Sequence, residues 1–352
     1  MASIPTLDGV RSRMVDTPRL RTHVLETGSD GDVVLFIHGN ASSSTFWEET
    51  MLALPAGYRG LAPDLRGYGD TEDVLIDATR GVQDWVDDLL ALVDTLGIER
   101  FHAVGHSLGG AVLFGLVAAR PAAIRSVTMV APGSPYGFGG SRPDGTPVFA
   151  DGAGSGAGVV NPDFARLIGE GDRSEDNPQA SPRVVMNSFY WKPPFRPARE
   201  EALLSSVLSE KVGPERYPGD AVPSENWPGS APGVYGPVNA ISARYAGDLA
   251  ERFVAVDPKP PVLWVRGDSD QIVADQSFFD IAVLGGMDLV PGYPGAEVFP
   301  NQPMVSQVRD VLTRYADGGG RFEELVIEDA GHTPYVEKPE AFAAAFHPHL
   351  RG

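Results

Sequence analysis

"VGHSLGG", residues 104–110, places Ser107 between Gly105 and Gly109, each two positions away. The chain holds 41 Gly in 352 residues. By chance alone Gly-x-Ser-x-Gly is therefore expected about 0.3 times, so its surroundings must give it meaning. They do. "FHAVG" (101–105) is a short apolar run that reads as a buried strand, and "LGGAVLFGLVAARP" (108–121) reads as an apolar helix closed by Pro121. The order is strand, tight turn, helix. Such a turn forces strained dihedrals on Ser107, and the small neighbours Gly105 and Gly109 relieve the crowding. The hydroxyl is then held out at the carboxyl edge of a sheet, at a helix N-terminus. The plainer alternative is a serine that only caps the helix.

A serine hydroxyl is a poor nucleophile without a base. Seven histidines are available. His23 falls in an expected hairpin, His102 in a strand, and His347 and His349 in the C-terminal tail. His106 adjoins the serine but should point elsewhere, and His38 begins a different loop. His332 remains, in "EDAGHTPYVEKPEAF" (328–342), directly after the last expected strand. An acid should precede it and follow a strand. "VLWVRGDSDQIV" (262–273) offers Asp268 and Asp270 there. A carboxylate in that place would fix the imidazole tautomer and stabilise the imidazolium. An oxyanion needs two donors. The backbone N–H of Leu108 is one, and the N–H of Asn40, in "FIHGNASSSTFW" (36–47), is the candidate for the other.

The rest of the chain suits this placement. "VVLFI" (33–37), "VTMV" (127–130), "PVLWVRG" (261–267) and "RFEELVI" (321–327) read as further buried strands. "GVQDWVDDLLALVDTLG" (81–97) carries Val82, Trp85, Val86, Leu89, Leu92, Val93 and Leu96 on one helical face. Alternating strands and helices predict a doubly wound, mostly parallel α/β sheet. "VRSRMVDTPRLRTHVLETG" (10–28) predicts an antiparallel hairpin added at one edge. Residues 133–256 break the alternation with Pro, Gly, Trp and Tyr, and "PAREEALLSSVLSEKVG" (197–213) is a helical piece within them. Their aromatic residues are too many for a solvated linker, so an ordered inserted lid is expected. This divides the chain into a core (1–132 and 257–352), a lid (133–256) and a secondary insertion in the core (274–301). Phe189, Tyr190 and Trp191 are expected to line a pocket beneath the lid; forming only the lid's own core is the rival reading.

The formal net charge of -19 would repel nucleic acid phosphates. The absence of Cys excludes disulfides, thiolate catalysis and cysteine-zinc sites. "MASIPTLDGVRSRMVD" (1–16) has no apolar run like a secretory signal, and nothing approaches a membrane span. A soluble, cytoplasmic protein without nucleic-acid or membrane partners is expected.

Taken together, "HGN" (38–40), "APDLRGYGDT" (62–71), "GHSLGG" (105–110), "RGDSDQIV" (266–273) and "DAGHTPYVEKPEAF" (329–342) resemble the α/β-hydrolase-fold serine hydrolases, in their esterase, lactonase and epoxide-hydrolase-like branch. These motifs span nearly the whole expected core in family order. The family places the acid three residues after the glycine that ends its strand, which selects Asp270 over Asp268. The resemblance implies acyl transfer by Ser107, Asp270 and His332 with no metal or organic cofactor. The aromatic lid suggests a bulky apolar or aromatic ester, or a lactone, as the small-molecule substrate. An epoxide hydrolase or dehalogenase would need Asp at position 107. A carbon–carbon bond hydrolase or a perhydrolase would use the same triad, and a ligand receptor on this fold would bind with little turnover.

Overall fold

Residues 4–352 are described by a computed structural model. Its strands are β1 (Val10–Asp16), β2 (Arg21–Thr27), β3 (Asp32–Ile37), β4 (Tyr58–Pro63), β5 (Phe101–His106), β6 (Ile124–Val130), β7 (Ala221–Pro223), β8 (Ser230–Pro232), β9 (Val262–Gly267) and β10 (Phe322–Ile327). Eight of them form one sheet in the order β1-β2-β4-β3-β5-β6-β9-β10. From β4 to β10 this sheet is parallel, and the β1–β2 hairpin adds antiparallel at one edge. β7 and β8 pair only with each other. The fold is the expected mostly parallel α/β sheet.

Side-chain alternation divides the sheet's two faces. Val33, Leu35, Ile37 and Ala103 join one apolar cluster with the helices Gln83–Thr95, Leu108–Ala119 and Met304–Asp317. Val34, Phe36 and Val104 join another with Trp47 and the helix Pro339–Arg351. Burial on both faces is why β3 and β5 read as continuous apolar runs. Two expectations shift. β4 did not appear among the predicted strands, because Gly60 and Pro63 interrupt its apolar pattern. The helical piece expected over 197–213 is reduced to Glu200–Val207.

The carboxyl ends of β3, β5, β9 and β10 carry His38–Asn40, Ser107, Asp270 and His332 respectively, so one edge of the sheet gathers them. The chain between β6 and β9 supplies short helices, including Pro162–Glu170 and Glu200–Val207. Its Ile168, Met186, Trp191, Leu204 and Val207 pack in one cluster with Ala41, Phe46, Ile272 and Met304. It therefore shares a core with the loops at that edge. Among the described residues no helix is long and apolar enough to cross a membrane.

A buried carboxylate fixes the loop after β4. Asp64 Oδ2 accepts from His23 Nδ1 (2.7 Å) and from the Asp70 N–H (2.8 Å). Its Oδ1 accepts from the Ser44 N–H (2.8 Å) and Oγ (2.7 Å). Burial opposes ionisation, yet the bond to His23 and its charge hold the carboxyl down at about 2 and raise His23. A carboxyl depressed on folding stabilises the native state above its unfolded pKa and loses that contribution as pH falls through the folded value. A raised histidine loses its share as pH rises through its own folded pKa. The pair is thus strongest between about pH 4 and neutrality, worth on the order of 2 kcal/mol. Asp64→Asn is expected to lower the melting temperature most in that window. The gap from wild type should narrow toward pH 2 and again above neutral pH, as read by thermal melts across pH.

Candidate active site

Ser107 caps the helix Leu108–Ala119 with φ 55° and ψ -116°, a backbone that L-residues seldom adopt. Its surroundings hold it there. The Ser107 N–H donates to the Val130 carbonyl (3.0 Å), and its own carbonyl accepts from Gly133 (2.9 Å) and Ala111 (3.1 Å). The glycines around it are required by close approach. A Cβ on Gly105 would collide with the Gly109 carbonyl, and one on Gly109 with the carbonyls of Ile37 and His38. Gly109 thereby lets the helix N-terminus reach the end of β3.

That contact brings the two expected oxyanion donors to one place. The Leu108 N–H is at the first helical position and has no intrahelical acceptor. The orientation of the Asn40 N–H follows from peptide planarity. The Gly39 carbonyl accepts from His38 Nδ1 (2.8 Å) and from Ser42 Oγ (2.8 Å). Carbonyl and following N–H point oppositely in a trans peptide, so the Asn40 N–H faces the other way. His38 Nε2 accepts from the Leu65 N–H (3.0 Å), which fixes the proton on Nδ1. His38 thus serves the loop, and burial pushes its imidazole below the usual histidine range.

His332 Nδ1 lies 2.8 Å from Asp270 Oδ2, both side chains being buried. Asp270 Oδ1 accepts from the N–H groups of Ile272 (2.8 Å) and Val273 (3.1 Å), which orients the carboxylate. Asp268 is exposed and bonds Ser269 Oγ and the Asp329 N–H instead. Ser107 and His332 open onto one cavity, and among the described residues the Ser107 hydroxyl has no hydrogen-bond partner within 3.5 Å. His106 does point elsewhere. Its Nε2 donates to the His332 carbonyl (2.9 Å), and burial pushes its ring well below the usual range, keeping it neutral.

The cavity has a volume of about 340 Å³ and is lined by Phe46, Leu108, Phe138, Phe164, Val185 and Ile241, among other apolar residues. Of the three expected aromatics, Phe189 and Tyr190 line it; Trp191 does not. The Trp191 side chain is 1% exposed. It packs on Phe195 and Tyr190 and gives its indole N–H to Asn187 Oδ1 (3.2 Å). The secondary insertion supplies Phe278, Phe279, Ile281 and Leu284, whose roles the sequence did not mark.

Tyr190 also does something the sequence did not signal. Its hydroxyl donates to the Ala41 carbonyl (2.9 Å), and its own carbonyl accepts from the Thr333 N–H (2.7 Å). One residue of the insertion therefore ties the Asn40 loop to the His332 loop. Glu337 assists by accepting from the N–H groups of Gly331 (2.6 Å) and Lys192 (3.2 Å). The two acids should separate kinetically. Asp270→Asn is expected to lower kcat on an aryl ester by roughly 10⁴ through the wrong histidine tautomer. Asp268→Asn should change it less than threefold or so, since that carboxylate is exposed, bonds only Ser269 Oγ and the Asp329 N–H, and makes no hydrogen bond to His332.

A family model described as the alpha/beta hydrolase family matches residues 34–345. Epoxide hydrolase 3 of Siraitia grosvenorii is 34% identical over 122 residues, 34% of this chain and 38% of that protein. The chain thus matches under two fifths of that relative's length. An esterase from Exiguobacterium antarcticum superposes with a TM-score of 0.61 at 14% identity, over 97% of this chain and 100% of that one. The 2-hydroxy-6-oxo-6-phenylhexa-2,4-dienoate hydrolase of Rhodococcus sp. strain RHA1 does so with a TM-score of 0.58 at 18% identity, over 97% and 99%. These structural likenesses show the fold. With the model match spanning most of its length, the chain belongs to the alpha/beta hydrolase family.

Proposed function

We propose that the protein is a serine hydrolase of uncharged, bulky, apolar carboxylic esters or lactones, with residues 133–256 acting as its lid. The observation that carries this is that Ser107 and an Asp270-held His332 line one apolar cavity. Asp270 occupies Nδ1, which leaves Nε2 to take the Ser107 proton as Oγ attacks the ester carbonyl. The N–H groups of Asn40 and Leu108 receive the oxyanion. Collapse of the tetrahedral intermediate expels the alkoxide, which takes the proton from His332. A water then gives its proton to His332 and attacks the acyl-enzyme. The second collapse returns that proton to Ser107 Oγ and releases the acid.

The cavity lining supports the substrate class. Among the described residues that line it, none is Asp, Glu, Lys or Arg. A carboxylate on the substrate would find no cation there, and desolvating it unpaired is costly. This disfavours an anionic substrate such as the dienoate named for the Rhodococcus neighbour. Ser107, which stands where an epoxide hydrolase would need Asp, favours acyl transfer over the epoxide chemistry named for the Siraitia relative. Apolar area covered on binding contributes about 25 cal/mol per Å².

Two outcomes test this. Wild-type kcat/KM is expected to be at least about tenfold higher for naphthyl or long-chain nitrophenyl esters than for the acetate, and Ser107→Ala should abolish turnover while leaving the melting temperature within a few degrees. A preference for acetate, or full activity in Ser107→Ala, would overturn the assignment. Phe189→Ala should reduce the bulky-to-acetate ratio with little loss of stability. Trp191→Ala should instead lower the melting temperature, because a buried Trp removed costs about 3–5 kcal/mol.

A further inference from the structure

A second cavity, with a volume of about 210 Å³, adjoins the one that holds Ser107. Ala111, Ser134, Gly137 and Ile241 line both, so the two spaces share one wall. Small-molecule sites usually occupy at least about 300 Å³. The second cavity is smaller, so it suits one end of a ligand rather than a whole one. Val82, Ala240 and Leu249 of its lining are buried in the main apolar cluster. Arg80 and Arg252 are exposed and form its rim, and both guanidinium groups are already paired. Arg80 meets Asp84 and Asp87, and Arg252 meets Asp248 (3.0 Å). An apolar interior under a self-paired rim favours an uncharged chain over an anion.

The wall has one movable part. Ala111 is fixed in the helix Leu108–Ala119, one turn after Ser107, and Gly137 has no side chain. Ser134 gives its hydroxyl proton to Gln307 Oε1 (2.8 Å). The backbone is pinned as well. The Gly137 carbonyl accepts from Gln302 Nε2 (2.9 Å), and the Phe138 N–H donates to the Ile241 carbonyl (2.7 Å). Of the four, only Ile241 carries a long apolar side chain, and it is half-buried. Its rotamers exchange without moving the backbone.

The chemistry decides which end of the substrate lies this way. His332 must reach the leaving oxygen, so the alcohol belongs beside it. Among the described residues, none that lines the second cavity comes from the loops bearing Asp270 and His332. The acyl group is therefore the part directed at the shared wall. We propose that the second cavity is a distal acyl subsite, entered past Ile241, that takes the far end of a long uncharged acyl chain. Ile241 is then a specificity-determining residue, setting how far that chain reaches. This rests on the ester-hydrolase reading above.

The test measures kcat/KM on nitrophenyl esters of growing acyl length, with melting curves for each variant. A parallel series of alkyl butanoates varies the alcohol instead. Each methylene denied its burial costs about fourfold. Ala246→Trp fills the second cavity from a half-buried position that does not line the first. It is expected to lower the decanoate-to-butanoate ratio at least about tenfold, the loss of roughly two methylenes. Ile241→Phe, which narrows the passage, should lower the same ratio. Ile241→Ala should move the optimum to longer acyl chains, and adding Ala246→Trp should cancel that gain. The alcohol series should keep its wild-type profile in Ala246→Trp. A wild-type acyl ratio in Ala246→Trp would overturn the proposal, leaving Ile241 as lining of the first cavity only. An equal fall for every acyl length, the mark of a release path, or a change confined to the alcohol series would overturn it too. Should Ala246→Trp not fold, Thr79→Trp, on the exposed side of the same cavity, takes its place under the same criteria. A wild type that turns over no ester refutes the hydrolase reading itself, a result distinct from an active enzyme indifferent to the second cavity.

Discussion

The positive φ of Ser107 is the constraint on which the site depends. A backbone held at 55° costs on the order of 1–3 kcal/mol and persists only where its neighbours over-determine it. Here β6 holds the Ser107 N–H, Gly133 holds its carbonyl, and Gly105, Gly109 and Gly110 allow the chain to pass where a Cβ would collide. The strain has a geometric return. It places Ser107 in the lining of the cavity and brings the N-terminus of an apolar helix against the end of β3. The Leu108 N–H and the Asn40 loop meet only because Gly109 has no side chain.

The second organising contact is the seating of the insertion on the sheet edge. Tyr190 links the Ala41 carbonyl to Thr333, the residue after the catalytic candidate His332. The insertion shares an apolar cluster with Ala41, Phe46 and Ile272. It is thus part of the wall that aligns the loops. Phe278 and Phe279 of the secondary insertion are 41% and 36% exposed and also line the cavity, which places them at its mouth. An apolar mouth leading to a lining without charges is consistent with uncharged ligands.

Much of this was legible in the sequence, and physics says which parts. Strands buried on both faces announce themselves as apolar runs, so β3, β5, β6 and β9 could be read directly, whereas β10 is an edge strand whose Glu323 and Val326 are exposed. The strand–turn–helix around Ser107 could be read because the required glycines are part of the motif. His332 and Asp270 were legible as residues that follow strands, although only the family spacing separated Asp270 from Asp268. β4 escaped because Gly60 and Pro63 break its run. Trp191 was misplaced because a large aromatic looks alike in sequence whether it faces a ligand or an indole-sized gap in a lid; Asn187 and Phe195 occupy its surroundings. Glu210 was invisible, since a Glu beside a Lys reads as solvated surface. The fold shows it to be a buried acid, 3% exposed.

The central claim is that Ser107 forms a covalent acyl intermediate in a cavity built for apolar acyl or alcohol groups. Rapid-quench mass spectrometry of the wild-type protein turning over a naphthyl carboxylate ester measures this most directly. The account requires a transient adduct of the acyl mass on the peptide bearing Ser107, formed and lost at rates that sustain steady-state turnover. Steady turnover with no adduct, or with the acyl group on any other residue, would contradict it.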